Sequence, residues 1–178
     1  MKSTLLAIAL LLACAGASAQ TQRFDIYGGA EYWHASNVPL QWTLLGLGYS
    51  FGGWELQPTY NFTPHFGVSA DFDGLYGSGA KAGLNTFDWF VGPKLTSSKV
   101  GPFLFFAHAM PGQTNVRGVP TIGQAKFALA SGGGVDMPVG AHFSLRLAQV
   151  DYVWVNGGQT NPNMFRYSGG VVWRFGQQ

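Results

Sequence analysis

From Arg23 onward the chain alternates. Gln57-Pro58-Thr59-Tyr60-Asn61-Phe62 and Val68-Ser69-Ala70-Asp71-Phe72-Asp73 place polar and apolar side chains in strict turn. A period of two marks a strand with two unlike faces. Helical i, i+3, i+4 spacing does not recur. The pattern predicts eight strands, at about 22–33, 53–62, 66–76, 86–95, 101–110, 125–136, 142–154 and 165–176. Three connections are short: Thr63–His65, Thr96–Val100 and Met137–Ala141. The other four, near 34–52, 77–85, 111–124 and 155–164, are longer and rich in Gly, Asn, Thr and Gln. Short and long connections alternate, as in an antiparallel up-and-down meander with every short turn at one end. Eight strands are enough to close a barrel and remove both edges.

The charges choose between two kinds of barrel. Arg23, Asp25 and Glu31 share a face, against Phe24, Ile26, Gly28, Ala30 and Tyr32. Glu55, Gln57, Thr59 and Asn61 oppose Trp54, Leu56, Pro58, Tyr60 and Phe62. The same division separates Asp71 and Asp73 from Phe72, Asp88 and Lys94 from Trp89 and Val91, Lys126 and Asp136 from Phe127 and Leu129, and Arg166 and Arg174 from Tyr167 and Trp173. All eight acidic residues fall within strands, while the connections carry little charge beyond Lys81, Lys99 and Arg117. A soluble barrel reverses this, with an apolar inside and a charged outside. Here the apolar face is the larger and more aromatic, which suits lipid outside and a polar lumen inside. Aromatics also gather at both strand ends. Phe24, Tyr60, Phe62, Phe66, Phe103, Phe143, Trp173 and Phe175 lie toward the short turns. Tyr32, Trp54, Tyr76, Phe87, Trp89, Phe127, Trp154 and Phe165 lie toward the long connections. Two such belts are expected at two water–lipid interfaces.

Composition agrees. Charged residues are only 10% and aromatics 15% of the 178 residues, and net charge is +2. A near-neutral chain lacks the basic stripe of a nucleic-acid binder. Its hydrophobicity also rules against disorder. Met1–Ala19 reads as a secretory signal peptide, with Lys2 as its basic start, Leu5–Ala13 as its apolar stretch and Ala17-Ser18-Ala19 as the cleavage site. The barrel domain is then 20–178. The single cysteine, Cys14, falls in the leader, where Leu11-Leu12-Ala13-Cys14 loosely resembles a lipoprotein processing site with an atypical Leu12. A mature chain without cysteine has no disulfide and no thiolate chemistry.

The chain resembles the small bacterial outer-membrane β-barrel family of the OmpA/OmpX type. Ser168-x-Gly170-x-x-Trp173-x-Phe175 is similar to the C-terminal insertion signal read by the barrel assembly machinery, although Gly176-Gln177-Gln178 follow the last aromatic. Phe143–Leu147 running to Asp151-Tyr152 is similar to the penultimate strand of these barrels. The resemblance implies an outer-membrane location, envelope-structural or surface-binding roles and no cofactor. A monomer surrounded by outer-membrane lipid, with an unidentified surface ligand, is expected.

Eight strands leave an interior that side chains just fill. Arg23, Asp25, Glu31, Glu55, Asp71, Asp73, Asp88, Lys94, Lys126, Asp136, Arg146, Arg166 and Arg174 are expected to occupy it, which argues against bulk transport. Asp25 is expected to meet Arg174, and Glu31 to meet Arg166. In the seventh segment the alternation slips. Leu145 and Leu147 point to lipid, so strict alternation would send Gln149 and Asp151 there too. One extra residue near Ala148, a β-bulge, turns Asp151 inward and Tyr152 and Trp154 outward. The alternative is that the strand leaves the bilayer before Gln149. That would leave only about six residues from Phe143, short of the roughly 9–11 needed to span.

Catalytic readings are weaker. His34, His65, His108 and His142 have no metal-ligand spacing and read as interface or turn residues. His142-Phe143-Ser144 resembles the His-x-Ser arrangement of an outer-membrane lipid A deacylase, with Asp136 as the nearest carboxylate. It sits at the short-turn end, whereas that chemistry works toward the outer leaflet. Gly132-Gly133-Gly134 lacks the helix and lysine of a phosphate loop and suits close packing instead. The rivals to a loop-bearing barrel are a lipid-modifying barrel enzyme and a soluble lipocalin-like carrier.

Overall fold

The computed structural model describes residues 23–36, 49–77, 85–117, 125–156 and 163–176. These form eight strands: β1 (Phe24–Ser36), β2 (Tyr49–Asn61), β3 (Phe66–Tyr76), β4 (Asn85–Thr96), β5 (Leu104–Arg117), β6 (Lys126–Pro138), β7 (Phe143–Val155) and β8 (Asn163–Phe175). Each pairs antiparallel with the next, and β8 returns to β1, closing the barrel. Ile26 faces Trp173 across the closing seam, and Asp25 faces Arg174. Strands of 11 to 14 residues meet the span requirement of roughly 9–11. The leader, Cys14 and most of the long connections lie outside the described residues.

Several strand ends differ from the sequence pattern. Pairing of β1 with β2 continues to Ala35 and Tyr49, beyond the expected ends at 33 and 53. β5 begins at Leu104 rather than 101, because Val100 and Phe103 bridge a tight turn with Gly101 at φ 62. That left-handed conformation suits glycine, which has no Cβ to clash. β5 also runs on to Arg117 through Pro111 and Gly112, which look like loop residues in the sequence. The β4–β5 register passes from Phe90↔Gly112 to Lys94↔His108, skipping the stretch that holds Pro93 and Pro111. A residue without an N–H is tolerated where the ladder does not need one.

The bulge is present in β7. Arg146 pairs with Gly170 and Gln149 with Ser168, so Leu147 and Ala148 together oppose Gly169. The β6 register shifts at the same height, from Val135↔Ala148 to Asp136↔Arg146. Leu147 and Ala148 are both exposed, and the phase reverses after them. Gln149, Asp151 and Val153 are buried, and Val150 is exposed.

The outer face carries both aromatic belts. Around the short-turn end, rings touch in series from Trp173 to Phe175, Phe24, Tyr60, Phe62 and Phe66, with centroid separations of 4.9 to 5.9 Å. At the other end Phe127 packs edge-on to Trp154, and Trp54 Nε1 donates to Tyr76 Oη at 3.3 Å. Phe103, Trp154 and Phe175 are half-buried rather than exposed.

Candidate functional site

Inward-facing side chains fill the barrel in three zones. Nearest the short turns, Asp136 holds two arginines. Arg146 Nε donates to its Oδ1 at 2.9 Å, and Arg174 Nη2 to its Oδ2 at 3.1 Å. Arg174 Nε also lies 3.8 Å from Asp25 Oδ1, directly across the closing seam. The Arg146 guanidinium is stacked between the Tyr27 ring at 4.0 Å and the Phe106 ring at 4.2 Å. Its Nη1 donates to Gln57 Oε1 at 2.9 Å and Gln149 Oε1 at 2.6 Å. Lys94 is buried beside it, its Nζ 4.9 Å from the Phe106 ring centre. A planar cation between aromatic faces, with its edge bonded, plugs the bore at this height.

The middle zone is built on Arg166, which is fully buried. Its Nη1 donates to Asp73 Oδ2 at 2.9 Å, Nη2 to Asp151 Oδ2 at 2.7 Å and to Asp71 Oδ2, and Nε lies 3.2 Å from Glu31 Oε1. Asp151 also meets His108 Nε2 at 2.7 Å and the Gln149 amide at 2.7 Å. Gln149 Nε2 carries the network on to Glu55 Oε1 at 3.0 Å. Trp33 Nε1 donates to Glu31. The bulge in β7 makes this possible, because it brings Gln149 and Asp151 to the inside. Glycine makes room: a Cβ on Gly132 would strike Asp151 Oδ1, and one on Gly134 would strike the Phe106 ring.

The third zone, toward the long connections, is apolar. Trp33, Leu75, Phe90, Met110, Ala128, Ala130, Val153 and Val155 form one buried cluster, with Phe51 and Met164 packed against it. This corrects the expectation of a lumen polar throughout: an apolar cluster interrupts it toward the long connections, with Asp88 and Thr114 buried beyond Phe90 and Met110 on β4 and β5. One other expectation is corrected. Arg23 precedes β1 and is exposed, so it does not join the lumen charges. Lys126 and Arg174 are half-buried, one at each end of the bore. Asp25, Glu31, Glu55, Asp71, Asp73, Asp88, Lys94, Asp136, Arg146, Asp151 and Arg166 are all buried inside. Glu31 and Arg166 do meet, but Arg166 is shared among four carboxylates rather than reserved for one.

Sequence reasoning missed Tyr27, Phe106 and His108 in the lumen. Tyr27 shares the parity of Asp25 and Glu31, which was the available signal, whereas β5 carries no acid or lysine to mark the inward parity of Phe106 and His108. His108 is therefore a lumen residue bonded to Asp151 rather than an interface or turn histidine. His65 and His142 do sit at short turns, their Nδ1 atoms 2.9 Å from Thr96 O and 3.2 Å from Arg174 O. The lipid A deacylase-like pair is not assembled. His142 is exposed, whereas Ser144 is buried in the bore and its hydroxyl has no hydrogen-bond partner among the described residues. Asp136 is already held by two arginines.

The assembly-signal residues split between the two faces. Ser168 points inward and Trp173 outward, Phe175 is half-buried, and Gly170 faces Gly29 across the closing seam. A Cβ on Gly170 would strike the backbone of Gly28 and Gly29, so the seam closes only with glycine there.

The model of the outer membrane protein beta-barrel domain matches residues 5–175. The structure is similar to Neisserial surface protein A, with TM-score 0.65 and 15% identity over 89% of this chain and 100% of that one. OprG from Pseudomonas aeruginosa gives 0.56 and 15% over 88% and 97%, and Ail, the attachment invasion locus protein of Yersinia pestis, gives 0.53 and 15% over 87% and 100%. No curated protein matches the chain. The chain belongs to the outer membrane protein beta-barrel domain family, and its place is the outer membrane.

Proposed function

We propose that this barrel acts through its long connections as an envelope-structural or surface-binding protein, and neither conducts solutes nor catalyses a reaction. The observation that carries the reading is the filled bore, in which Arg146 between Tyr27 and Phe106, the Arg166 network and the apolar cluster succeed one another. Two structural neighbours add support, since one is named a surface protein and the other an attachment invasion locus protein. In this reading the leader ends at Ala19. The short turns face the periplasm and the long connections the outside. The barrel is a monomer in lipid.

The test compares the full barrel with one whose four long connections are cut to short turns. Equal amounts of folded protein, with whole-cell binding to host matrix proteins and glycans lost only in the shortened barrel, are expected. Equal binding by both, or solute uptake through either, would overturn the reading. Orientation is checked by labelling cysteines placed at Gly46 and Ser98 in intact cells, where only the first should react. Insertion by the barrel assembly machinery is part of the same proposal. Trp173→Ala with Phe175→Ala should lower the outer-membrane amount far more than the stability of the protein that does fold, as judged by heat-modifiable gel mobility.

A further inference from the structure

The middle of the lumen holds more acid than base. Glu31, Glu55, Asp71, Asp73, Asp88 and Asp151 are all buried there, against one guanidinium and one imidazole. A buried charge without a partner is very costly. Arg166 reaches Glu31, Asp71, Asp73 and Asp151, and Glu55 accepts from Gln149. Asp88 has no cation within ion-pair distance among the described residues; its Oδ1 accepts from the Asn115 N–H at 3.1 Å.

Asp88 on β4 lies directly opposite Asp73 on β3, and both are fully buried. One oxygen of Asp73 is taken by Arg166 Nη1. The remaining oxygens, Asp73 Oδ1 and Asp88 Oδ2, are buried without a hydrogen-bond partner on residues that oppose each other in the β3–β4 register. Two acceptors facing each other repel. One proton between them turns one acceptor into an O–H donor and removes one of the two charges. We propose that Asp73 and Asp88 share a single proton, and that this acid pair is a latch between β3 and β4.

The surroundings support sharing rather than double ionisation. Asp73 is faced by Glu31 from β1, Asp71 on its own strand and Arg166 from β8. Asp88 is faced from β5 by Thr114 and the Asn115 amide. Glu55 of β2 adds further negative charge to the cluster. Asp151 of β7 is held by Arg166 and by His108 of β5. β6 presents Ala128 and Ala130 to the adjoining apolar cluster, and its Lys126 is in register with Thr114, which opposes Asp88. Arg166 is the guanidinium in reach, and it is already divided among four carboxylates. Leu75, two residues along β3 from Asp73, and Phe90, two residues along β4 from Asp88, belong to the apolar cluster, so the latch sits against that cluster.

Infrared spectroscopy of the folded barrel in bilayers at neutral pH tests this. The C=O stretch of a protonated carboxylic acid, shifting in D₂O, is expected in the native protein and lost or reduced in Asp88→Asn. That amide supplies an N–H donor without a titrating proton, so the variant keeps the hydrogen bond. Absence of a protonated carboxyl band in the native barrel would overturn the proposal whether or not any variant folds. A band of undiminished intensity in both Asp73→Asn and Asp88→Asn would overturn it too.

Discussion

The lower and upper parts of this lumen are filled by different physics. Toward the short turns and the middle, planar cations sit among carboxylates and aromatic faces, and nearly every inward group depends on several others. Toward the long connections, methyl groups and rings pack without a hydrogen-bond network. A polar network is all-or-none, because a partner removed leaves another group buried and unsatisfied. An apolar cluster is additive, since each side chain contributes mainly its own area and volume. Substitutions should therefore fail together in the first region and separately in the second.

The largest effect is expected at the centre of the network. Arg166→Met strands four buried carboxylates and should cost about 3–5 kcal/mol or prevent folding. Exchanging the charges of Arg166 and Glu31 should fail to rescue it, because Asp71, Asp73 and Asp151 stay uncompensated. A rescued double variant, measured by urea unfolding in bilayers, would break the contrast. Leu75→Ala in the apolar cluster should cost about 3 kcal/mol, with the charged zones still folded. Deleting Ala148 tests the hinge between the regions. Without the bulge, Asp151 turns to lipid at a cost on the order of 2 kcal/mol, and loss of its bonds to Arg166 and His108 adds to that. An unchanged unfolding midpoint would show that β7 holds its phase by other means.

What the sequence made legible follows from what period two can encode. The bounds of β3 at Phe66 and Tyr76 match the expected segment. The β7 bulge was legible because a mid-bilayer Asp151 has no cheap alternative. Asp25 and Arg174 were legible because they are neighbours across one seam. The Arg166 network was not, since it reaches across the bore from β8 to β3, and strand order says nothing about such contacts. The apolar zone went unseen for a simpler reason. Parity was judged from the charges: Trp33 and Leu75 share the charged parity without carrying a charge, and the inward face of β5 that holds Met110 has no acid or lysine to mark it. The far end of β5 was missed because Pro111 and Gly112 look like a loop, and only the skipped register opposite Pro93 makes room for them.

The claim on which both regions depend is that together they close the bore. Single-channel recording on the folded native protein in planar bilayers, with folding verified by heat-modifiable mobility, tests it most directly. The account predicts a silent membrane at all applied voltages. Steady, stepwise conductance from the folded barrel would contradict it.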